Sequence, residues 1–283
     1  MTWQERLSEG TRVLEEAQIA EASLDAWYLL EHVTGMSRAG FILHGSEEEQ
    51  ESQAEQYMDL IRRRAAHTPL QHLTGTQQFM GIDFIVSEDV LCPRQDTELL
   101  VERVLAREKE SGLELLDVCT GSGCIAIALE RLGQDRFETV DAVDLSPQAL
   151  QIAEHNCAVT GAQVHLRQSD LLESVTGHYD VIVSNPPYIA SQEVDRLMPE
   201  VREHEPRMAL DGGADGLDLY RRLAVEVPGH LKPGGRLYLE IGYDQGQSVP
   251  GLLLQAGFVR IGCHKDLCGL DRVVEAVWPG KEG

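Results

Sequence analysis

The sequence contains no run of eighteen apolar residues, so no segment is long enough to cross a bilayer as a helix. Its first residues, MTWQERLSEG, carry no basic end followed by an apolar stretch. No secretion signal is therefore expected, and the expected compartment is the cytoplasm. Positive charge is scarce: 24 Lys and Arg stand against 47 Asp and Glu, for a formal net charge of −23. That excess argues against non-specific nucleic-acid binding and against docking on anionic lipid, since both partners are polyanions. The most compact basic cluster, Arg62-Arg63-Arg64, reads as a solvated helix face. The six cysteines, at 92, 119, 124, 157, 263 and 268, include no Cys-x-x-Cys. Cys263-His264 with Cys268 lacks a second matching pair, so no metal site and no disulfide framework are expected. Cys119, Cys124 and Cys157 read as small core residues. No internal repeat or low-complexity segment is evident.

With 283 residues, 42% of them hydrophobic, the chain has the means to form a large domain with or without a smaller one. Residues 1–70 read as a small helical domain. Leu7 and Leu14 lie two helical turns apart, and Ala26, Leu29, Leu30 and Val33 share a face. Tyr57, Leu60 and Ile61 give a later helix its apolar side, with Ser46 and Glu49 expected to form its capping box. Thr68-Pro69 stops that helix, because proline disfavours a helical residue before it. Residues 71–92, punctuated by Gly75 and Gly81, read as a β-hairpin linker.

From residue 93 to 283 strands alternate with helices, which predicts a doubly wound, mostly parallel α/β sheet covered on both faces. The expected strands are 113–118, 139–143, 164–167, 181–184 and 236–241. Two closing strands, 259–264 and 272–278, are joined by a short link that suits antiparallel pairing.

Two segments carry the chemistry. LLDVCTGSGCIAIALE is an apolar strand, a glycine turn and an apolar helix. Gly121 and Gly123 permit a tight turn and close approach of a ligand, and the helix aims its first N–H groups at that turn. The loop fits Gly-x-Gly-x-x-Ala, ending at Ala126, and Asp144 closes the next strand where a carboxylate can accept from ribose hydroxyls. By itself this pattern suits a nicotinamide dinucleotide or S-adenosyl-L-methionine equally. Asp117, four residues before Gly121, and Asp170, after the third strand, occupy places that resemble the acids of class I methyltransferases, near the methionine part and the adenine amino group.

The second segment is DVIVSNPPYI, a buried strand followed by Asn185-Pro186-Pro187-Tyr188 at its carboxyl end, where open α/β sheets bind ligands. The prolines hold the backbone off the helical path and free its carbonyls. An amide nitrogen is a poor nucleophile because its lone pair is delocalised. The Asn185 side-chain oxygen and the Pro186 backbone oxygen are two acceptors for its two hydrogens, and Tyr188 can pack on the flat group. Catalysis would then rest on positioning and charge stabilisation.

Taken with LTGTQQFMG, VLCPRQDTE (Val90 to Glu98), EVREHEPRMALDGGADGLDLYRRL, LKPGGRLYLEIG and KDLCGLDRVV, these segments resemble the HemK/PrmC protein-(glutamine-N5) methyltransferases over nearly the whole chain. The Asn-Pro-Pro-Tyr motif is shared with adenine-N6 DNA methyltransferases; Pro-Arg-x-Asp-Thr-Glu and Glu-Pro-x-x-Ala-Leu are more restricted. The resemblance implies S-adenosyl-L-methionine as cofactor and, as substrate, the glutamine of the Gly-Gly-Gln loop of class 1 peptide chain release factors, in translation termination. It implies that the helical first domain helps recognise that partner. Carried onto this chain, Asp117, Cys119, Thr120, Gly121, Ser122 and Gly123 line the methionine part. Asp144 binds ribose, Asp170 and Leu171 flank adenine, and Asn185 to Tyr188 hold the glutamine. Leu171 stands where some relatives carry an aromatic, and Gln95 where proline is common. Arg94 and Glu98 read as fixing the domain junction, and Glu205-Pro206 as structural. The nearest alternative substrate is a glutamine of a ribosomal large-subunit protein. Adenine in DNA is a weaker one, because flipping a base calls for a basic recognition surface.

Overall fold

A computed structural model describes residues 1–280. By packing, the chain divides into two compact units, one of Met1–Thr76 with Met198–His204, the other of Gln77–Leu197 with Glu205 onward. The last three residues of the expected 93–283 domain lie outside the described residues.

The first unit is helical: α1 (Trp3–Glu16), α2 (Ala22–Thr34), α3 (Arg38–His44), α4 (Glu51–Ala65) and α5 (Leu70–Thr74). α1 opens with a capping box, in which Glu5 N–H donates to the Thr2 hydroxyl and Thr2 N–H donates to the Glu5 carboxylate. The expected apolar faces meet in one core, where Leu14, Ala26, Leu29, Leu30, Tyr57 and Ile61 are fully buried and Trp27 meets Phe41 edge-on at 5.2 Å.

Two expectations fail here. Ser46 caps nothing: α4 starts at Glu51, behind Gln50, with no side-chain cap. Glu49 is drawn instead to Arg6, whose Nε donates to it at 2.8 Å. The arginine run also divides. Arg62 and Arg63 are exposed, but Arg64 is buried. Its Nε donates to Asp25 at 2.7 Å and its Nη1 to Glu200 at 3.1 Å. Positions 57, 60, 61 and 64 recur at helical spacing, so Arg64 falls on the apolar stripe, where a charge persists only with opposite charge beside it.

The second unit begins one residue into β1 (Thr76–Phe79), which with β2 (Ile82–Ile85) forms a hairpin turning at Met80-Gly81 with φ of +52° and +76°. There follow α6 (Gln95–Arg107), β3 (Leu113–Val118), α7 (Cys124–Gly133), β4 (Phe137–Asp144), α8 (Pro147–Thr160), β5 (His165–Gln168), β6 (Tyr179–Ser184) and α9 (Ser191–Val194). After α10 (Pro199–His204), which packs with the first unit, come α11 (Asp218–Glu226), β7 (Leu231–Glu240), α12 (Ser248–Gln255), β8 (Val259–Lys265) and β9 (Asp271–Val277).

Seven of these strands form one sheet in the order β5-β4-β3-β6-β7-β9-β8. β5, β4, β3, β6 and β7 are parallel, and β9 runs antiparallel to both β7 and β8. The expected α/β sheet with an antiparallel C-terminal strand is therefore present. Alternation along β6 explains its two faces. Ile182 joins a core with Leu116, Leu237 and Phe258, while Val181 and Val183 join another with Leu100, Val104 and Ile127. The strand order reverses between β3 and β6, so their carboxyl ends open a crevice at the switch point.

Candidate active site

β3 ends in a turn where Cys119, Gly121 and Gly123 have φ of +62°, +56° and +80°. At Gly121 a Cβ would meet no atom within 4 Å, so glycine there answers the left-handed backbone and leaves open space before the turn. From spacing alone Gly123 is expected at the ligand too, but its Cβ would lie 3.1 Å from Ile127 and 3.2 Å from Ala153. Its smallness serves the packing of α7 on α8. Asn156 of α8 pins the turn by donating to the Ser122 carbonyl at 2.9 Å.

Asp117 is fully buried beneath this turn. Its Oδ2 accepts from the Thr120 hydroxyl at 2.6 Å and from Ala126 N–H at 3.2 Å, while Oδ1 has no partner among the described residues. Burial pushes its carboxyl up to about 7, against those two bonds and with help from the Asp144 charge. Asp144, at the end of β4, accepts from Gly121 N–H and Ser146 N–H, both at 2.8 Å. Burial raises its pKa, and the backbone bonds oppose the rise.

A cavity of about 320 Å³ opens over the switch point. Cys119, Thr120, Gly121, Ser122 and Asp144 line one side, and Asp170, Leu171, Asn185 and Pro187 also line it. Asp117, Gly123, Pro186 and Tyr188 are not on its wall. The residues suit a ligand bearing a ribose and a donor group. Among the described residues the Asp117 Oδ1 has no donor, the Asp144 oxygens retain lone pairs, and the space before Gly121 is one that a Cβ would fill.

The Asn-Pro-Pro-Tyr segment is held from several sides. Ser184 donates to the Val118 carbonyl at 2.6 Å, joining the ends of β6 and β3. Asn185 Nδ2 donates to the Thr97 hydroxyl at 3.3 Å. Among the described residues no backbone N–H donates to the Pro186 carbonyl. Tyr188 packs against the sheet core, and its hydroxyl donates to Glu240 at 3.4 Å. Burial raises the Tyr188 pKa, so the phenol keeps its proton. Next, Ile189 pairs with 210–212 through Ile189 N–H to Leu210 and Gly212 N–H to Ile189, at 3.0 and 2.8 Å. A Cβ on Gly212 would lie 2.7 Å from the Pro187 oxygen, and one on Gly216 2.3 Å from that of Tyr188. The DGGADG run is thus glycine-rich because backbone packs on backbone there.

Asp170 reaches the cavity with Oδ1 paired to Arg222 at 2.7 Å, and Leu171 beside it has a φ of +47°. Arg94 donates to both oxygens of buried Glu205 at 2.7 Å, and Glu98 accepts from Met80 N–H at 2.6 Å. These bonds tie loops together within the second unit. Thr97, Glu240 and Arg222 were given no role by motif reading. Thr97 carried a signal nonetheless, since 97, 100, 101 and 104 form the buried face of α6 and a hydroxyl there needs a partner. Glu240 carried another, an acid closing an apolar strand as Asp117 and Asp144 nearly do.

Comparison with known proteins agrees with this architecture. Residues 5–75 match the family model of the PrmC N-terminal domain, and residues 93–208 that of the methyltransferase small domain. The chain is 41% identical over 262 residues to the release factor glutamine methyltransferase of Geobacter sulfurreducens, covering 92% of this chain and 91% of that one. It is 43% identical over 268 residues to that of Cereibacter sphaeroides, covering 94% and 95%. Among solved structures it resembles a methyltransferase from Pyrococcus furiosus, with a TM-score of 0.55 and 20% identity over 72% of this chain and 91% of that one. It also resembles a T. thermophilus 16S rRNA methyltransferase in complex with AdoMet and guanosine, with a TM-score of 0.51 and 18% identity, covering 71% and 49%. These two likenesses carry the class I methyltransferase fold. The chain is a methyltransferase and belongs to the release factor glutamine methyltransferase family.

Proposed function

We propose that the chain transfers a methyl group from S-adenosyl-L-methionine to the side-chain nitrogen, N5, of the glutamine in the Gly-Gly-Gln loop of class 1 peptide chain release factors. One observation carries this reading: Asn185, with its amide nitrogen donating to Thr97, lines the same cavity as Gly121 and Asp144. The names of the relatives in Geobacter and Cereibacter supply the substrate, and the bound AdoMet of the T. thermophilus enzyme the cofactor.

When bound, the cofactor supplies an electrophilic methyl group on a sulfonium and leaves as a neutral thioether. Asp144 would accept from the ribose hydroxyls, Asp117 would face the methionine end from beneath Cys119 to Gly123, and Asp170 with Leu171 would flank the adenine. The Asn185 Oδ1 and the Pro186 carbonyl would each accept one hydrogen of the glutamine amide. That clamp orients the nitrogen and favours its pyramidal, more nucleophilic state as the C–N bond forms. One of the two hydrogens then leaves as a proton to solvent. Pro187 would shape the wall, and Tyr188 would hold the segment from behind. The helical unit would recognise the release factor, with 71–92 as the linking hairpin.

The test is transfer of labelled methyl to purified release factor, beside a copy whose loop glutamine is alanine. Label lost with that change and with Asn185→Ala supports the proposal. Label on ribosomal protein or DNA in place of the release factor overturns the substrate.

A further inference from the structure

Two prolines in succession leave the Asn185–Tyr188 segment without two of the N–H groups by which a backbone holds itself in place. A segment that must present an amide oxygen and a carbonyl at fixed points therefore needs support from outside. At its upstream end the Ser184 hydroxyl donates to the Val118 carbonyl at 2.6 Å. At its downstream end the Tyr188 carbonyl receives no backbone N–H among the described residues. The donor it has is a side chain 57 positions on: Gln245 Nε2 donates to it at 3.0 Å.

Gln245 lies between β7 and α12 and is 6% exposed, so water does little to satisfy it. The same nitrogen also donates to the Gly216 carbonyl at 3.1 Å, and Oε1 accepts from Gly242 N–H at 2.9 Å. A side-chain amide has two donors at one end and only lone pairs at the other. Two carbonyls and one N–H around it therefore admit a single orientation, since the reverse sets oxygen against two oxygens and N–H against N–H. Glycines make its room: a Cβ on Gly216 would lie 2.9 Å from Nε2, and one on Gly242 3.2 Å from Oε1. We propose that Gln245 is a positioning residue for methyl transfer, one that fixes the Tyr188 carbonyl and through it the placement of Asn185 and Pro186. This rests on the acceptor roles assigned to those two residues above.

The prolines make this hold effective at a distance. Their rings lock φ at Pro186 and Pro187, so few torsions between Tyr188 and Asn185 can absorb a shift. Ser184 fixes one end and Gln245 the other, and a downstream end set loose carries the acceptor clamp with it. The cofactor side is held by different bonds: Asn156 donates to the Ser122 carbonyl at 2.9 Å, and Gly121 N–H donates to Asp144 at 2.8 Å. Loss of Gln245 should therefore misplace the acceptor and leave cofactor binding as it was. The residue type follows from the task. Asparagine is one methylene shorter, and an ionised glutamate has no proton to give either carbonyl.

The experiment compares wild type, Gln245→Met, Asn185→Ala and the double variant. Calorimetry gives cofactor affinity and the fraction of protein that binds, and kcat for release factor methylation is referred to that fraction. Gln245→Met is expected to bind cofactor as wild type does and to lose about a hundredfold in kcat, the scale of a small misplacement at a reacting centre. KM should change little. In the Asn185→Ala background the same substitution should cost no more than about threefold, because residues that act as one unit are not additive. A kcat near wild type overturns the proposal, and so does a loss just as large in the Asn185→Ala background. Should Gln245→Met not fold, the wild type supplies a second measurement: an NMR coupling through the hydrogen bond between the Gln245 side-chain nitrogen and the Tyr188 carbonyl carbon. That coupling is expected, and its absence overturns the hold on Tyr188. If wild type methylates no glutamine, the functional reading fails separately, and the coupling still decides whether Gln245 holds the segment.

Discussion

Buried charge is matched at one place in the molecule and left partly open at two others. In the helical unit Arg64 is surrounded by acceptors, Asp25 at 2.7 Å and Glu200 at 3.1 Å, so a charge on an apolar stripe is matched. In the sheet unit Asp117 and Glu240 are as deeply buried, yet each keeps one oxygen without a partner among the described residues, and each has its carboxyl pushed up to about 7. A matched buried pair holds a structure in register. An unmatched acid is tolerated where something else is meant to meet it or where its charge is used, and both of these stand at or near the carboxyl ends of their strands.

Substitutions can break that contrast. The largest expected effect is on stability in the helical unit. Arg64→Ala strands Asp25 and Glu200 and should cost about 3–5 kcal/mol in urea unfolding, the scale for breaking a buried pair. Cofactor affinity of the folded fraction should not change. Asn185→Ala should do the reverse, lowering kcat about a thousandfold, by analogy with losing one transition-state hydrogen bond, while the melting temperature stays near that of wild type. A loss of cofactor binding in this variant would show that Asn185 serves the cofactor and not the acceptor.

Asp117→Asn sharpens the comparison through pH. A carboxyl whose folded pKa lies above its usual value stabilises the fold at low pH, and that contribution is lost as pH rises through the folded value. Wild type should lose on the order of 2–4 kcal/mol relative to Asp117→Asn between about pH 4 and about pH 7. Parallel stability curves for the two proteins would show that the carboxyl is not raised. The smallest effect is expected for Arg12→Ala. This residue pairs with Glu16 at 3.6 Å in full view of solvent, and its loss should stay within about 0.5 kcal/mol in the same unfolding measurement.

Much of the fold is legible because it depends on local periodicity. Alternation along Val181, Ile182 and Val183, the glycine turn at 121–123 and the helical spacing of Ala26, Leu29 and Leu30 are short-range signals with one reading each. The strands at 113–118 and 181–184 follow from them. The capping box expected at Ser46 fails because Ser46 and Glu49 fit only a local rule, while Arg6, 43 residues away in sequence, bonds Glu49 instead. Arg64 departs from expectation for a related reason: three adjacent arginines look like one surface, but the helix turns only the third inward.

The sequence by itself determined the class of fold, the turn after β3, the acids Asp117 and Asp144, and the placing of Asn185 after a buried strand. These depend on residue types at fixed short spacing. Only the tertiary structure decided that Gly123 packs helices together, that Asp170 is paired with Arg222, and that Thr97 stands behind Asn185. Those contacts join residues 30 to 88 positions apart in the chain. No local pattern encodes which distant partner satisfies a buried polar atom. That is settled when the sheet closes and water is excluded, leaving each donor only the acceptors the fold has brought near.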